Sequence, residues 1–480
     1  MTDSFLLASA LLLLLLVPFG AHRIRLLWLL LKYPRRREAA RWGGELPSVL
    51  VQVPVYNEAN VVTRAIDAAC SLDYPKARLT VQVLDDSDDE TPGIAAQRIE
   101  HWRESGVEVT HLRRAARDGF KAGALAAGMR FNGAEFILVL DADFVAPPDL
   151  IHKLLPPFAD PRVGAVQAAW AHLDADASWL ARAQALFLDG HFAIEHEARY
   201  RAGLFFNFNG SGGMWRRACI EDAGGWSADT LTEDVDLSYR AQLRGWRFAY
   251  LDHVSVPAEL PGTLRAVETQ QARWAQGGIQ TGRKLLPRIW KARLPLAIKL
   301  EATAHTFGHV VHAVSFLFAA AVAFLGWATP DGLAGLPGWL PGALFAAALI
   351  PFMAFYAVAT VIRGRGRLVR SVVEGLTLGL GLAAPLTVAV VRGMRHRDKT
   401  PFRRTPKFGA GGGAATYTAV GSPLASILRM AVAASLAVTA ARLLATGAEA
   451  ASLTALFAIG YGISVGEGLR KTPRLRRQAS

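Results

Sequence analysis

The chain has 480 residues, of which 52% are hydrophobic and 19% charged, and its formal net charge is +13. This length predicts more than one structural unit. The apolar residues are concentrated in 5–31 and in most of 303–468, on either side of a stretch with ordinary globular composition at 45–290. The pattern predicts a soluble domain between membrane helices and disfavours a nucleic-acid partner, because the cations flank apolar spans.

The first predicted element is a membrane helix over residues 4–31. A signal peptide is less favoured, because no charged region precedes the apolar run and no clear small-residue cleavage site follows it. Arg23 and Arg25 interrupt the run, and we expect them to snorkel or to face protein. The cations that follow, between Lys32 and Arg41, place the carboxyl end of this helix in the cytoplasm.

Strand-like and helical stretches alternate within the globular part. Strands are predicted at 49–53, 79–84, 108–112 and 135–140, with helices between them at 61–72, 91–105 and 121–131. This alternation predicts an α/β domain with a mostly parallel sheet, whose ligands bind beyond the carboxyl ends of the strands. No glycine-rich dinucleotide or phosphate loop follows the first strand, so a dehydrogenase or a phosphate-loop ATPase is disfavoured. Cys70 and Cys219 have no metal-type spacing, so neither a disulfide framework nor a zinc site is predicted.

Carboxylates follow two of the predicted strands directly. Asp85 and Asp86 end the second strand, and Asp141 and Asp143 come after the fourth. We therefore expect all of them in the crevice at the sheet edge, in preference to ordinary solvated turns. The oxygen atoms of the second pair suit Mg²⁺ or Mn²⁺ together with a substrate phosphate.

Two further motifs lie downstream. Thr232-Glu233-Asp234 places a carboxylate where it can accept a proton, and the same residues would also cap a helix. In the segment 270–274, Gln-Gln-Ala-Arg-Trp, Arg273 can neutralise a diphosphate and Trp274 offers a flat face to a sugar ring. The alternative for this tryptophan is a core residue or an interfacial anchor.

In this order, the motifs resemble those of the processive inverting glycosyltransferases of family 2, which include cellulose and hyaluronan synthases. Residues 206–259 and the context of 270–274 look most similar to the plant-type glucomannan and xyloglucan-backbone synthases of that family. The resemblance implies a GT-A catalytic domain at 45–274, a metal site of Asp141 and Asp143, and a catalytic motif whose base is Asp234. Glu233 and Thr232 complete that catalytic motif. It implies a donor-binding set of Pro54, Tyr56, Glu58, Asp85, Asp86, Arg117, Lys121, Asp141, Gln270, Gln271 and Arg273. It also implies an acceptor-binding set of Phe208, Asn209, Gly210, Ser211 and Trp274. For Arg117 and Lys121 a solvated basic face is the alternative.

The remaining chain is predicted to form a membrane region at 301–480, after amphipathic interfacial helices at 275–300; residues 1–44 are the first helix and a basic linker. Spans are expected at 303–327, 340–362, 425–446 and 449–468, and with the first helix they make five. If 371–391 also crossed, the cations that follow it would lie outside, so we interpret that segment as interfacial or re-entrant. The amino terminus is then outside and the carboxyl terminus inside.

A loop at 400–413 resembles the gating loop of cellulose synthase, through Phe402, Thr405 and Lys407. The valine that usually precedes the threonine is replaced by Arg404, which departs from the family pattern.

The predicted function is transfer of a hexose from a nucleotide sugar, of the UDP-glucose or GDP-mannose type, to the non-reducing end of a growing β-glycan. The enzyme would also translocate that glycan. Its predicted partners are the donor, the polysaccharide and membrane lipids, in an inner plasma membrane with the catalytic domain in the cytoplasm. One alternative is addition of a single sugar to a lipid acceptor such as ceramide or a polyprenyl phosphate. A less favoured alternative is a transporter with a regulatory soluble domain.

Overall fold

The computed structural model describes residues 2–35, 42–328, 339–395, 422–445 and 450–469. Its soluble part is built on a seven-stranded sheet with the strand order β3-β2-β1-β4-β6-β5-β7. The strands are β1 (Val49–Val55), β2 (Leu79–Asp85), β3 (Val109–Arg113), β4 (Phe136–Val139), β5 (Val163–His172), β6 (Gly213–Arg216) and β7 (Arg247–Ala258). β6 runs antiparallel to β4 and β5, and the other neighbouring pairs are parallel.

Helices cover the sheet and account for the apolar character of its strands. β4 is buried along its whole length, as expected for a strand that is covered on both faces. The helices of this part are α2 (Val62–Cys70), α3 (Thr91–Glu104), α4 (Phe120–Met129), α5 (Leu150–Leu154), α6 (Trp179–Gly190), α7 (Glu197–Arg201), α8 (Arg217–Asp222) and α9 (Glu233–Leu243). A π-helical turn at His191–His196 joins α6 to α7.

The predicted α/β fold with a mostly parallel sheet is confirmed. The four predicted strands and the three predicted helices all appear, with ends that differ by one or a few residues. The sequence analysis did not predict β5, β6 and β7. The shortest of these, β6, has four residues and reverses the direction of the sheet between two parallel segments.

A single helix carries the motif at 270–274. α10 (Leu264–Lys291) is capped by Thr263, whose side chain accepts a hydrogen bond from the backbone N–H of Ala266. The helix runs without a break past Trp274. The predicted boundary between 274 and 275 therefore falls inside one helix. α11 (Leu296–Thr306) follows it.

The apolar part consists of helices. They are α1 (Thr2–Lys32), α12 (Val310–Ala328), α13 (Trp339–Ile362), α14 (Leu368–Arg395), α15 (Pro423–Ala445) and α16 (Ala450–Leu469). Within the described residues, three helical stretches are long and apolar enough to cross a membrane: Leu11–Lys32, Leu368–Arg395 and Pro423–Arg442. α11 and α12 make a fourth only if the pair, bent by 55°, counts as one span. The five-span topology stays a prediction.

The segment 371–391, interpreted above as interfacial or re-entrant, is helical throughout. It lies inside α14, a continuous helix of 28 residues that contains Pro385 and does not reverse direction. Its mean hydropathy and length are those of a spanning helix, and 56% of its most apolar window is buried against the rest of the protein. The segment packs on α6: Gly375 lies against Leu186, and Glu374 accepts hydrogen bonds from Arg182. Its placement relative to a bilayer stays a prediction.

The two arginines inside the first apolar run face protein, which was one of the two predicted possibilities. Arg23 pairs with Glu195 of the π-helical turn, and Arg25 pairs with Glu301 of α11. Arg199 of α7 links these two carboxylates, with Nη2 at 2.9 Å from Glu195 and Nε at 2.9 Å from Glu301. We call this cluster the ion network; its members are His22, Arg23, Arg25, Glu195, Arg199 and Glu301.

Candidate active site

A cleft opens at the carboxyl ends of β1 and β4 and is closed on its far side by β5, the start of α9 and the first half of α10. The chain reaches it from segments more than 200 residues apart, and most of the predicted site residues meet there. Those that line the cleft are Pro54, Tyr56, Glu58, Asp86, Arg117, Lys121, Asp141, Asp143, Asn209, Gly210, Thr232, Glu233, Asp234, Gln270, Arg273 and Trp274.

The structure places four predicted residues outside the cleft wall: Asp85, Phe208, Ser211 and Gln271. Phe208 is fully buried and packs against Trp215, with ring centroids 5.3 Å apart. Ser211 is also buried, and its hydroxyl accepts a hydrogen bond of 2.8 Å from the backbone N–H of Asp141. Ser211 therefore positions a cleft residue and does not line the cleft. The predicted loop residues Phe402, Thr405 and Lys407 lie outside the described residues.

Asp85 and Asp86 point in different directions, as successive residues at a strand end do. Asp85 is buried, lies 2.9 Å from His111 Nε2 and accepts a 2.9 Å hydrogen bond from the backbone N–H of Ser87. Burial raises the pKa of Asp85, but these hydrogen bonds outweigh it and hold the pKa below its usual value. Asp86 faces the cleft and accepts a 2.9 Å hydrogen bond from Arg114 Nε.

Arg117 and Tyr56 form one wall of the cleft. The guanidinium carbon of Arg117 lies 3.3 Å from the centroid of the Tyr56 ring, in a cation–π contact. Burial lowers the pKa of Arg117, although nearby Tyr56 and Asp86 partly oppose this effect. The alternative of a solvated basic face does not hold here, because this arginine and Lys121 both line the cleft.

Lys121, on α4, connects two loops of the site. Its Nζ donates to Asp141 Oδ1 at 2.5 Å and to the carbonyl oxygen of Gly210 at 2.8 Å. Burial lowers the pKa of Lys121, but the carboxylates of Asp141, Glu233 and Asp234 together raise it above the ordinary value. Lys121 is therefore a fixed positive charge at the centre of an acidic cleft.

Asp234 lies at the start of α9, close to the loop that carries Gly210. Gly210 has a φ of +80°, and a Cβ atom there would lie 3.1 Å from Asp234 Oδ2, so only glycine brings the loop this close. Burial and the neighbouring Glu233 raise the pKa of Asp234 to about 7, against the lowering effect of Lys121 and Arg273. A carboxyl group with this pKa can exchange protons near neutral pH.

Thr232 occupies the residue before α9, as the capping interpretation predicted, but its hydroxyl does not bond to the helix. Thr232 Oγ1 lies 3.2 Å from Thr281 Oγ1 on α10. The contact ties the start of α9 to α10, so the catalytic motif and the motif at 270–274 are held together by packing.

Asp141 and Asp143 are the residues that fit a metal ion. Both carboxylates line the cleft, and Mg²⁺ is commonly held by one or two protein carboxylates together with substrate phosphates. Within the described residues no group of three or more His, Cys, Asp or Glu side chains surrounds a common point. The donor set therefore fits a cation that arrives with a phosphorylated substrate.

Aromatic rings and two polar residues complete the cleft. Trp170, at the end of β5, has its ring centroid 6.5 Å from that of Trp274 and 5.0 Å from that of Phe144. His172 and Glu259 also line the cleft. The sequence analysis missed Trp170, His172 and Glu259 because it did not predict β5 and β7. The alternation of Ala168-Ala-Trp-Ala-His172 was the signal that could have placed Trp170 and His172 on one face at the end of a strand.

Comparison with known proteins finds a family model that matches the α/β part of the chain. Residues 47–277 match the family described as "Glycosyltransferase like family 2". A relative from Oryza sativa subsp. japonica, "Probable glucomannan 4-beta-mannosyltransferase 7", is 43% identical over 255 residues, which are 52% of this chain and 44% of the relative. "Glucomannan 4-beta-mannosyltransferase 2" of Arabidopsis thaliana is 40% identical over 252 residues, 52% of this chain and 47% of the relative. The chain thus spans about half the length of the curated relatives it matches.

A solved structure shares the fold. It is a mannosyltransferase from Pyrobaculum calidifontis in complex with GDP-Man and Mn²⁺, with a TM-score of 0.56 and 24% sequence identity. The alignment covers 78% of this chain and 99% of that protein. At this level of identity the likeness establishes the GT-A fold and nothing finer.

Proposed function

We propose that the protein transfers a hexose from a nucleotide sugar to the end of a growing β-glycan, with inversion, on the premise that the match of residues 47–277 to glycosyltransferase family 2 reflects a shared activity. GDP-mannose is the donor that we place first and UDP-glucose the second. The support for mannose is the 40–43% identity to plant glucomannan mannosyltransferases over about half of the chain. The observation that carries the reaction type is the placement of Asp234 in the cleft.

Asp234 acts as the general base. Its pKa of about 7 leaves part of the population ionised at neutral pH, and the ionised carboxylate accepts the proton of the acceptor hydroxyl. As the hydroxyl oxygen bonds to the anomeric carbon of the donor, the bond from that carbon to the diphosphate breaks. Attack from the side opposite the leaving group inverts the configuration.

The leaving diphosphate takes up the electron pair and needs positive charge around it. Lys121 and Arg273 line the cleft and supply that charge, and Arg117 lies on the wall with Tyr56. A Mg²⁺ or Mn²⁺ ion held by Asp141 and Asp143 would neutralise the diphosphate further. Trp170 and Trp274 offer apolar ring faces to the acceptor sugars.

The proposed setting is a membrane. We place the catalytic domain on the cytoplasmic side of the inner plasma membrane, where nucleotide sugars are made, and the glycan would leave through the helical part. The apolar helices α1, α14 and α15 support membrane association by their length and hydropathy. Membrane lipids would then surround the helical part.

The purified full-length protein, incubated with radiolabelled GDP-mannose or UDP-glucose and a divalent cation, tests the function. We expect polymer from GDP-mannose that is digested by a β-mannanase. A labelled lipid with one sugar, and no polymer, would favour the alternative in which a ceramide or polyprenyl phosphate receives a single residue. Absence of transfer from either donor would contradict the proposal.

The loop at 400–413 is proposed to close over the bound donor from the cytoplasmic side. A Thr405→Cys variant should react with a membrane-impermeant thiol reagent in inverted vesicles and not in intact cells. The native cysteines give a low background, because both are buried and burial raises the pKa of the Cys70 thiol to about 12. Labelling from outside would contradict the topology, and labelling that donor does not slow would contradict the closing role.

A further inference from the structure

One polar side chain of the cleft has no part in the chemistry described above. His172 is the last residue of β5 and lines the cleft, with its side chain 3% exposed. Its Nε2 lies 3.2 Å from Oδ1 of Asp189, a buried residue of α6. Within the described residues, its second ring nitrogen, Nδ1, has no hydrogen-bond partner.

The pairing with Asp189 fixes the imidazole. In the neutral imidazole, His172 Nε2 then carries the proton, because the carboxylate can only accept, and Nδ1 is an acceptor. The negative charge of Asp189 already has a cationic partner, because Arg365 pairs with its other carboxylate oxygen. His172 is therefore not needed to balance that charge. The arrangement therefore presents a hydrogen-bond acceptor of defined orientation in the wall of a substrate cleft.

The position of His172 relative to Trp170 says which substrate it meets. The two residues are two apart on one strand, so they lie on the same face and about 6.6 Å from each other along it. Trp170 packs near Trp274, whose ring is proposed to hold the acceptor sugar. A glycan that ran parallel to β5 from the two tryptophans would bring its adjoining sugar beside His172.

We propose that His172 binds a hydroxyl group of the acceptor glycan, at the sugar next to the one held by the two tryptophans, and that Asp189 and Arg365 are its positioning residues. The inference rests on the proposed function, because it needs a glycan in the cleft. Arg365 belongs to the turn between α13 and α14. A residue of that turn therefore orients His172 through Asp189. The chain of contacts from Arg365 to Asp189 to His172 connects the apolar helices to the cleft.

The distribution of product lengths is the readout, measured for purified full-length variants at equal donor turnover. Product length reflects the balance of elongation and release in each active molecule, so a misfolded fraction does not change it. His172→Phe keeps the ring and removes both nitrogens. We expect products shorter by about 2–10-fold, the loss expected for one neutral hydrogen bond, with the donor KM unchanged within about 2-fold.

Two matched comparisons complete the test. His172→Asn, which can still donate to Asp189 and accept from a hydroxyl, should restore most of the length. Arg365→Gln should shorten the products, whereas Arg367→Gln, two residues away and outside the cleft wall, should not. If the wild type makes no polymer, the proposed function fails. If it makes polymer and both His172→Phe and Arg365→Gln give wild-type lengths, this inference fails while the proposed function stands.

Discussion

The cleft and the ion network both bring several charged side chains together, but they balance these charges differently. In the ion network, the two carboxylates of Glu195 and Glu301 pair with three arginines and one histidine. Glu301 has three of these partners, which are Arg25, Arg199 and His22. In the cleft, Lys121 is surrounded by Asp141, Glu233 and Asp234. In the network each carboxylate has at least two cationic partners, while the cleft carries an excess of carboxylates.

This difference separates a structural cluster from a reactive one. Buried ion pairs between helices hold the helices together. Removing one member is destabilising, because it leaves the other charge buried without compensation. A buried carboxyl with too few partners takes up a proton instead, and its pKa moves towards neutrality, as for Asp234. We therefore expect variants of the two regions to fail in different assays.

Asp234→Asn should give the largest effect on rate. Loss of the base is expected to lower the transfer rate by about 10²–10⁴-fold, with the donor Kd little changed. The raised pKa of Asp234 means that folded-state stability falls as the pH rises from about 4 towards 7. At pH 8 the wild type carries a buried, ionised Asp234, which destabilises the folded state. The variant lacks this charge and should melt at the same temperature as the wild type or higher. The transfer rate is measured by turnover, the donor Kd by calorimetry, and the melting temperature by thermal unfolding.

Asp236→Asn is the matched control, on the same helix and two residues away. Asp236 is buried and paired, with Arg240 Nε at 2.7 Å and Lys284 Nζ at 2.7 Å. Its loss should lower the melting temperature and leave the rate per folded molecule within about 3-fold. An Asp236→Asn protein that is stable and inactive would break the distinction between the regions.

Glu301→Gln should give the largest effect on stability. It removes a shared partner from Arg199, which is buried, and from Arg25, which is half-buried, and the expected cost is about 3–5 kcal/mol, mainly from the buried Arg199. The rate per folded molecule should be close to that of the wild type. Chemical unfolding in detergent, with activity normalised to the folded fraction, measures both. Wild-type stability would show that the network is not structural.

Lys121→Gln should give a smaller, diagnostic effect. Lys121 lowers the pKa of Asp234, so its removal should move the acid limb of the pH–rate profile to higher pH. Arg114→Gln is a control for the loss of one positive charge, because Arg114 bonds to Asp86 and to the carbonyl oxygens of Asp118 and Phe120. An acid limb that stays in place after loss of Lys121 would mean that a different group is titrating.

The sequence predicted the parts of the molecule that depend on local pattern. The four apolar strands and their helices follow from periodicity, and most motif residues reach the cleft because strand ends share one edge of the sheet. It assigned Asp85 and Asp86 alike, although alternation turns Asp85 towards His111 and Asp86 towards the cleft. It could not find the ion network, because Arg23 and Glu195 are 172 positions apart and no local signal joins them.

The most direct test of the account is the pH dependence of transfer by the wild type at saturating donor. With Asp234 as the base, the rate should rise about tenfold per pH unit below the raised pKa of Asp234 and level off above it. The small residual rate of Asp234→Asn should lack this limb. A wild-type rate that stays level from pH 5.5 to 8, or an Asp234→Asn variant with an unchanged limb, would contradict the assignment of Asp234 as the base.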